Sequence, residues 1–155
     1  MSEKTFSENA RKKCSEIMTR NVKTASCATT IRDVAVLMRD GDMGAMPVVE
    51  HGRLIGIVTD RDIVVRAIAD GKDASTPIGA VMTTDIFSVN ENDFVFEAIR
   101  LMGEKQVRRV PIVNNSGELA GIIAMADVAL ETEDEREIAE TLEEISSGSA
   151  FWSKN

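Results

Sequence analysis

Apolar residues near the start of the chain recur at helical spacing and then change to short uninterrupted runs. Four of them share one helical face, at i, i+3, i+4 and i+7: Ile31, Val34, Ala35 and Met38. The apolar runs that follow are separated by a polar turn, which is typical of a β-hairpin. The first half therefore predicts, in order, a strand at 22–25, a helix capped by Thr29 or Thr30 and ended by Gly41, strands at 46–49 and 54–58, and a helix from Asp60 to about Ala69.

The second half of the chain repeats the first. Pro111 follows Pro47 by 64 residues in matching apolar runs, and Gly121 follows Gly56 by 65, so one extra residue lies in the intervening turn. A repeat of this length indicates two copies of one supersecondary unit. The second copy predicts a strand at 86–89, a helix from about 93 to 104, strands at 110–113 and 119–123, and a helix that begins near Met125.

Each copy has the element order β-α-β-β-α and leaves one sheet face uncovered. We therefore predict an α+β fold in which the two copies pack against each other about a pseudo-twofold axis, with two equivalent clefts between them. The predicted segments are a charged lead-in at 1–13, the first copy at 14–70, a polar linker at 71–77, the second copy at 78–131, an acidic amphipathic helix at 132–147 and a flexible tail at 148–155.

Two features of the C-terminal segment stay open. Ile138, Leu142 and Ile145 lie on one side of the predicted helix, which packs either on its own domain or on a second subunit. The sequence favours the first alternative. Phe151 and Trp152 lie in the predicted tail and are either disordered or docked on a neighbouring molecule.

The composition narrows the classes of function. The formal net charge is −8, which argues against nucleic acid and against anionic membrane surfaces, because both need a basic face. No apolar run approaches the ~20 residues of a membrane-spanning helix, and the first residues lack the apolar stretch of a secretory signal. We therefore expect a soluble cytoplasmic protein. Cys14 and Cys27 lack metal-ligand spacing and are expected to be reduced thiols, and His51 is expected to be a solvated turn residue without a function.

The repeated motifs resemble a known family. The first copy reads M-T-x-x-V, then G-A-M-P-V-V, then G-x-L-I-G-I-V-T-D-R-D-I, which is similar to the CBS motif, named after cystathionine β-synthase. The second copy resembles another, and the likeness covers residues from about 15 to 131. The whole is similar to small bacterial proteins with two CBS motifs. The resemblance implies a disc-like pair, often a homodimer, whose clefts bind AMP, ADP, ATP, NAD or S-adenosylmethionine as a regulatory ligand, with no required cofactor.

The end of the second hairpin strand in the first copy carries the clearest ligand chemistry. Thr59 precedes a predicted helix, whose free N–H groups and dipole favour phosphate, and Asp62 offers a carboxylate to the two hydroxyls of a ribose. The resemblance implies these roles, although the same pair also fits a capping box, which needs no ligand. Asp60 and Asp62 share no helical face, so we expect no metal site. By the resemblance, the first-site residues are Thr24, Ala25, Met46, Pro47 and Val48, which flank adenine, with Thr59, Arg61 and Asp62.

The second copy departs from this pattern. Ala124 stands in the place of the capping threonine, which removes a phosphate donor and on the order of 1 kcal/mol of helix stability. Asp127 keeps the acid without its capping partner, which indicates a role other than capping. Arg108 and Arg109 are suited to forked phosphate contacts, and strand alternation sends one of them inward; alternatively, both are surface residues bonded to nearby acids. The weaker second site comprises Ser88, Val110, Pro111 and Asp127.

The leading hypothesis is a regulatory module that binds an adenosine-containing ligand and changes its own assembly or that of an unknown effector protein. The alternative is a structural or oligomerisation protein without a working ligand site. An enzyme is the least favoured class, because the sequence shows no nucleophile–base pair, catalytic histidine or metal cluster.

Overall fold

The computed structural model describes residues 11–131 and 143–145, and these residues belong to two compact units. The first-repeat unit contains residues 22–86 and 116–119. The second-repeat unit contains the described residues of 11–21, 87–115 and 120–145. The first-repeat unit therefore holds residues 78–86 and 116–119 of the predicted second copy, and the second-repeat unit holds residues 14–21 of the predicted first copy. The boundaries predicted from the repeat remain a prediction.

The elements confirm the mixed α+β class. No helix within the described ranges is both long and apolar enough to cross a bilayer. In chain order the elements are α1 (Cys14–Ile17), α2 (Ile31–Gly41), β1 (Ala45–Glu50), β2 (Arg53–Thr59), α3 (Asp60–Asp62), a π-helix (Ile63–Ile68), a 3-10 turn (Ile78–Ala80), β3 (Val89–Asn90), α4 (Val95–Lys105), β4 (Arg109–Val113), β5 (Leu119–Ala124) and α5 (Met125–Glu131).

The predicted hairpin of the first copy is confirmed. Strands β1 and β2 pair antiparallel from Ala45 opposite Thr59 to Glu50 opposite Arg53. The two residues of the turn, His51 and Gly52, have φ values of 52° and 81°. Positive φ at both positions is the geometry of a type I′ turn, which matches the strand twist and favours glycine. In the other unit β3 pairs parallel with β4, and β5 lies on the far side of β4.

The predicted strand at 22–25 is wrong, because only Ala25 pairs there, through a parallel bridge with Val48. The Ala25 N–H donates to the Pro47 carbonyl at 3.0 Å, and the Val49 N–H donates to the Ala25 carbonyl at 2.8 Å. The next bond of a parallel ladder would need an N–H on Pro47, which proline lacks. Pro111 limits the second copy in the same way, so the strand predicted at 86–89 is present only as β3 at Val89–Asn90.

Helix α2 is confirmed, but its predicted stop is displaced. The Thr30 hydroxyl accepts a hydrogen bond from the Asp33 N–H at 3.1 Å, so Thr30 is the cap. Gly41 is the last helical residue, and Asp42 takes the left-handed conformation with φ of 49°. Gln106 does the same after α4, with φ of 57°. In both helices the backbone N–H of this left-handed residue donates to carbonyls of the last turn, and in α2 it lies one residue after the predicted stop at Gly41.

The helix predicted from Asp60 to about Ala69 is helical throughout but changes type. Its first turn is α-helical, and residues 63–68 form a π-helix. The Ala69 N–H donates to the Val64 carbonyl five residues earlier at 2.9 Å. The corresponding α5 of the second copy is an ordinary α-helix, so the wider turn belongs to the first copy. The helix predicted from 93 begins at Val95.

Each unit has its own hydrophobic core. The core of the first-repeat unit comprises Ala25, Ile31, Val34, Met38, Met46, Val48, Val58, Ile63, Ala67, Ile78 and Val81. The core of the second-repeat unit joins residues of α1, α4, α5 and the sheet, and it also contains Ile145, which is 6% exposed. The burial of Ile145 within the same chain supports a C-terminal segment packed on its own domain. Residues 1–10, Ile138, Leu142, Phe151 and Trp152 lie outside the described residues.

Cys14 is a fully buried thiol in this second core. Burial, with the Asp93 and Glu97 carboxylates adding to it, raises the pKa of Cys14 from 9.0 to about 12. The thiol is therefore protonated and unreactive in the folded chain at neutral pH. Burial and then Glu50 also raise the pKa of Cys27, which agrees with two reduced cysteines.

The raised pKa of Cys14 predicts a loss of stability in alkali. Below pH 9 the Cys14 thiol is protonated in both the folded and the unfolded chain. Between pH 9 and 12 the unfolded chain releases a proton that the folded chain retains. The free energy of unfolding therefore falls as the pH rises through this range. We expect a loss of about 2 kcal/mol at pH 10.5 relative to pH 8. Urea denaturation of wild type and Cys14→Ala at both pH values measures it. An equal decline in the two proteins would contradict the assignment.

Candidate functional site

Asp62 is anchored where β2 passes into α3. Its Oδ2 accepts a hydrogen bond from the Thr59 N–H at 3.0 Å, and its own N–H donates to the Thr59 hydroxyl at 3.0 Å. The two residues therefore form the capping box that the sequence left open as an alternative. Asp62 is half-buried. Every hydrogen bond to its carboxylate from the described residues reaches Oδ2, which leaves Oδ1 free to accept donors from a ligand.

The N–H groups at the start of α3 already have acceptors. The Asp60 N–H donates to the Gly44 carbonyl at 2.9 Å, and the Arg61 N–H donates to the Asp60 carboxylate at 2.8 Å. With the Asp62 N–H bound to Thr59, all three first donors are used within the chain. A phosphate at this position would have to displace the Asp60 carboxylate, so the structure gives phosphate binding here less support than the sequence did.

Asp127 occupies the equivalent place in the second copy. Its Oδ2 accepts a hydrogen bond from the Ala124 N–H at 2.9 Å, and the residue is half-buried. Asp127 therefore also caps the helix, because half of the capping box survives without the threonine hydroxyl, and its predicted role beyond capping stays a prediction. The Met125 N–H donates to the Arg108 carbonyl at 2.8 Å, just as Asp60 binds Gly44. The two copies thus share one local geometry around the acid.

The residues predicted to flank adenine lie on or beside β1. Met46 and Val48 are 0% exposed and belong to the core. Pro47 between them is also buried, so these three side chains stabilise the fold and a base at this strand would meet Thr24 and backbone atoms instead. Thr24 is half-buried, whereas Ala25 is buried and bound to Pro47 through its backbone.

The second copy repeats this arrangement on β4. Val110 is 0% exposed, Pro111 is buried, and Ser88 is exposed. Arg108 and Arg109 are both exposed, so the expectation that one of them turns inward is not met within the residues described. Their guanidinium groups remain accessible to a ligand.

No metal site is visible in the described part of the chain. No group of three or more His, Cys, Asp and Glu residues converges there. The Asp60 carboxylate lies beside Gly44, with its Oδ2 3.2 Å from where a Cβ on that glycine would be. The Asp62 carboxylate is instead held by Thr59, so the two acids do not act together. His51 is exposed in its turn.

Sequence reasoning missed one residue of this site. Thr83 lies beyond the linker, and its hydroxyl is 3.4 Å from the Asp62 Oδ2. The repeat pairs Met82 and Thr83 with Met18 and Thr19, which marks the segment as recurrent. The sequence carries no signal that Thr83 reaches the acid of the preceding copy.

The comparison with known proteins also divides the chain into two motifs. The model of the CBS domain matches residues 14–68 and 78–134. The CBS domain-containing protein YhcV of Bacillus subtilis is 44% identical over 115 residues, which cover 74% of this chain and 81% of that protein. Hypoxic response protein 1 of Mycobacterium tuberculosis is 37% identical over 116 residues, covering 74% and 80%.

Two solved structures have folds similar to that of this chain. A crystal structure of Hypoxic Response Protein I with two coordinated zinc ions has a TM-score of 0.70 at 35% identity, covering 77% of this chain and 98% of that one. The CBS domain pair of protein MJ0100, in complex with methylthioadenosine and S-adenosylmethionine, has a TM-score of 0.67 at 25% identity, covering 77% and 98%. The family match over both repeats and the identity to YhcV show that the chain belongs to the CBS-domain family, with two CBS motifs in tandem.

Proposed function

We propose that the chain is a regulatory module that binds an adenosine-containing ligand and in response changes its own assembly or that of a partner protein. One observation carries the proposal. In both copies a half-buried aspartate at the end of a hairpin strand is fixed through Oδ2 by a backbone N–H, at 3.0 Å for Asp62 and 2.9 Å for Asp127. A carboxylate that is oriented but keeps an oxygen open suits the vicinal hydroxyls of a ribose.

The ligands of a relative support this class of compound. The MJ0100 pair was solved with methylthioadenosine and S-adenosylmethionine, which share an adenosine group and carry no phosphate. The internal acceptors at the start of α3 fit recognition of sugar and base in the first copy. In the second copy, we propose that Arg108 and Arg109, which are exposed at the start of β4, bind the phosphate of a ligand whose ribose is bound by Asp127.

A ligand panel tests the proposed function. The full chain is heated with AMP, ADP, ATP, NAD, S-adenosylmethionine or adenosine, and with guanosine as the control. A compound that binds only the folded state at 100 times its Kd adds about 2.7 kcal/mol to the free energy of unfolding. We expect at least one adenosine compound, and not guanosine, to raise the melting temperature. Mass spectrometry of the purified protein identifies any ligand that it retains.

A flat response to every adenosine compound would instead favour an assembly role. One observation supports that second candidate: Val64, Val65 and Ile68 are 56%, 48% and 67% exposed on the π-helix. Exposed apolar residues in a group are typical of an interaction surface. We propose a homodimer as the assembled form, which analytical ultracentrifugation measures with and without ligand.

A further inference from the structure

Thr83 is bound to the strand that ends at the first candidate site. Its N–H donates to the Ile57 carbonyl at 2.8 Å, and the Ile57 N–H donates to the Thr83 carbonyl at 2.9 Å. This pair of backbone bonds fixes Thr83 beside β2, two residues before Thr59. The side chain of Thr83 is half-buried, and its hydroxyl lies 3.4 Å from the Asp62 Oδ2.

Two donors therefore meet at one oxygen of Asp62. The Thr59 N–H donates to Oδ2 at 3.0 Å, and the hydroxyl of Thr83, whose backbone pairs with Ile57 of β2, lies 3.4 Å from the same atom. A carboxylate held by one donor can still rotate about its Cβ–Cγ bond, whereas a second donor from another direction restricts that rotation. The position of the open Oδ1 atom therefore depends on both donors, the Thr59 N–H and the Thr83 hydroxyl.

The second copy lacks this arrangement. Among the described residues, Asp127 accepts a hydrogen bond only from the Ala124 N–H, and Thr19, which matches Thr83, is exposed. Thr19 still makes the equivalent backbone bonds, at 2.9 Å and 3.0 Å to Ile122. The backbone pairing is thus common to both copies, while the hydroxyl contact with the acid belongs to the first copy alone.

We infer that Thr83 is a positioning residue for Asp62 and sets the preference of the first site for ribose over 2′-deoxyribose. The inference rests on the proposed function, since it concerns how the site distinguishes sugars. With Oδ1 held in place, the carboxylate binds both ribose hydroxyls at once, and a ligand that lacks the 2′-hydroxyl loses one of the two bonds. The less restrained Asp127 adapts to either sugar, so the second site discriminates less.

Calorimetric titration of the full chain with paired sugars tests this role. AMP, ADP, ATP and adenosine are each compared with the 2′-deoxy counterpart, in an Asp127→Asn background that isolates the first site. We expect the ribose form to bind about tenfold more tightly, the value of one bond to a charged group. Thr83→Val, which keeps the backbone bonds to Ile57, should weaken the ribose form several-fold and leave the 2′-deoxy form unchanged. Thr83→Ser should restore the difference.

Thr84→Val is the matched control, because Thr84 is the exposed neighbour of Thr83. Thr84→Val should leave the affinities for the ribose form and the 2′-deoxy form unchanged. Circular dichroism tests whether each variant is folded. If Thr83→Val retains the full ribose preference, or weakens both sugars equally, the inference is overturned while the proposed function stands. If no adenosine compound binds the background protein or wild type, both are overturned.

Discussion

Replacing Gly121 by alanine is expected to destabilise the protein by about 3 kcal/mol, the upper end of the usual cost of overpacking. A Cβ at this buried position would lie 2.6 Å from the Thr19 carbonyl oxygen and 2.9 Å from both Cγ and Sδ of Met18. The nearest atom is backbone, and Thr19 is held to Ile122 by two hydrogen bonds. The segment 18–19 must therefore move away from β5, which breaks those bonds or uncovers Met18.

Equilibrium denaturation with urea measures this loss, and two other glycines calibrate it. At Gly56, the repeat equivalent, a Cβ would meet Met82 Sδ at 2.8 Å and the Thr83 carbonyl at 3.0 Å, so we expect a smaller loss of about 2 kcal/mol. At Gly41, at the end of α2, the close atom is the flexible Met43 Cε, and alanine should be neutral or stabilising. A Gly121→Ala variant within about 1 kcal/mol of wild type would contradict the packing described.

These glycines also show what the sequence could reveal about the fold. The recurrence of Gly56 as Gly121 marked them as equivalent, and local patterns correctly predicted α2 and the hairpin of the first copy. What each glycine packs against is a contact between distant segments, 18–19 for one and 82–83 for the other. Local patterns do not encode such pairings, because they depend on the register of strands brought together only by folding.

Two prolines explain why the strands predicted at 22–25 and 86–89 are longer than the observed pairing. The segments 22–25 and 86–89 have apolar residues suited to strands, and composition alone favours that interpretation. Pro47 and Pro111 each lack the N–H that would extend the parallel ladder along them. The motif prolines were recognised as repeat markers, but their effect on a neighbouring segment follows only from knowing which strand lies beside them.

In the candidate site, too, one part could be predicted from the sequence and another could not. Thr59 and Asp62 are three residues apart, and their spacing predicted both the capping box and the ribose carboxylate. Thr83 is 21 residues from Asp62, and its hydroxyl reaches the acid only because its backbone pairs with Ile57. Local sequence therefore identifies the acid, whereas the group that orients it is visible only in three dimensions.

Asp62→Asn should weaken binding of adenosine ligands at the first site about 100-fold while leaving the fold intact. The asparagine amide oxygen can still accept the Thr59 N–H, so the cap is retained. The amide NH₂ then occupies the place of the open Oδ1 and donates where a ribose hydroxyl needs an acceptor. Two bonds to a charged group are lost, and about 3 kcal/mol corresponds to a 100-fold change in Kd.

Asp60→Asn provides the matched control, since it removes the same charge two residues away from a carboxylate that faces Gly44. Calorimetry should show wild-type affinity for Asp60→Asn and unchanged stability for both variants. Asp62→Asn binding within about threefold of wild type would exclude the carboxylate as the ribose acceptor. Asp127→Asn separates the two copies. Within residues 11–131 and 143–145 no second donor reaches Asp127, so its loss should remove the weaker class of sites and leave the tighter one. If it removes the tighter one, recognition is dominated by the copy that has the exposed Arg108 and Arg109.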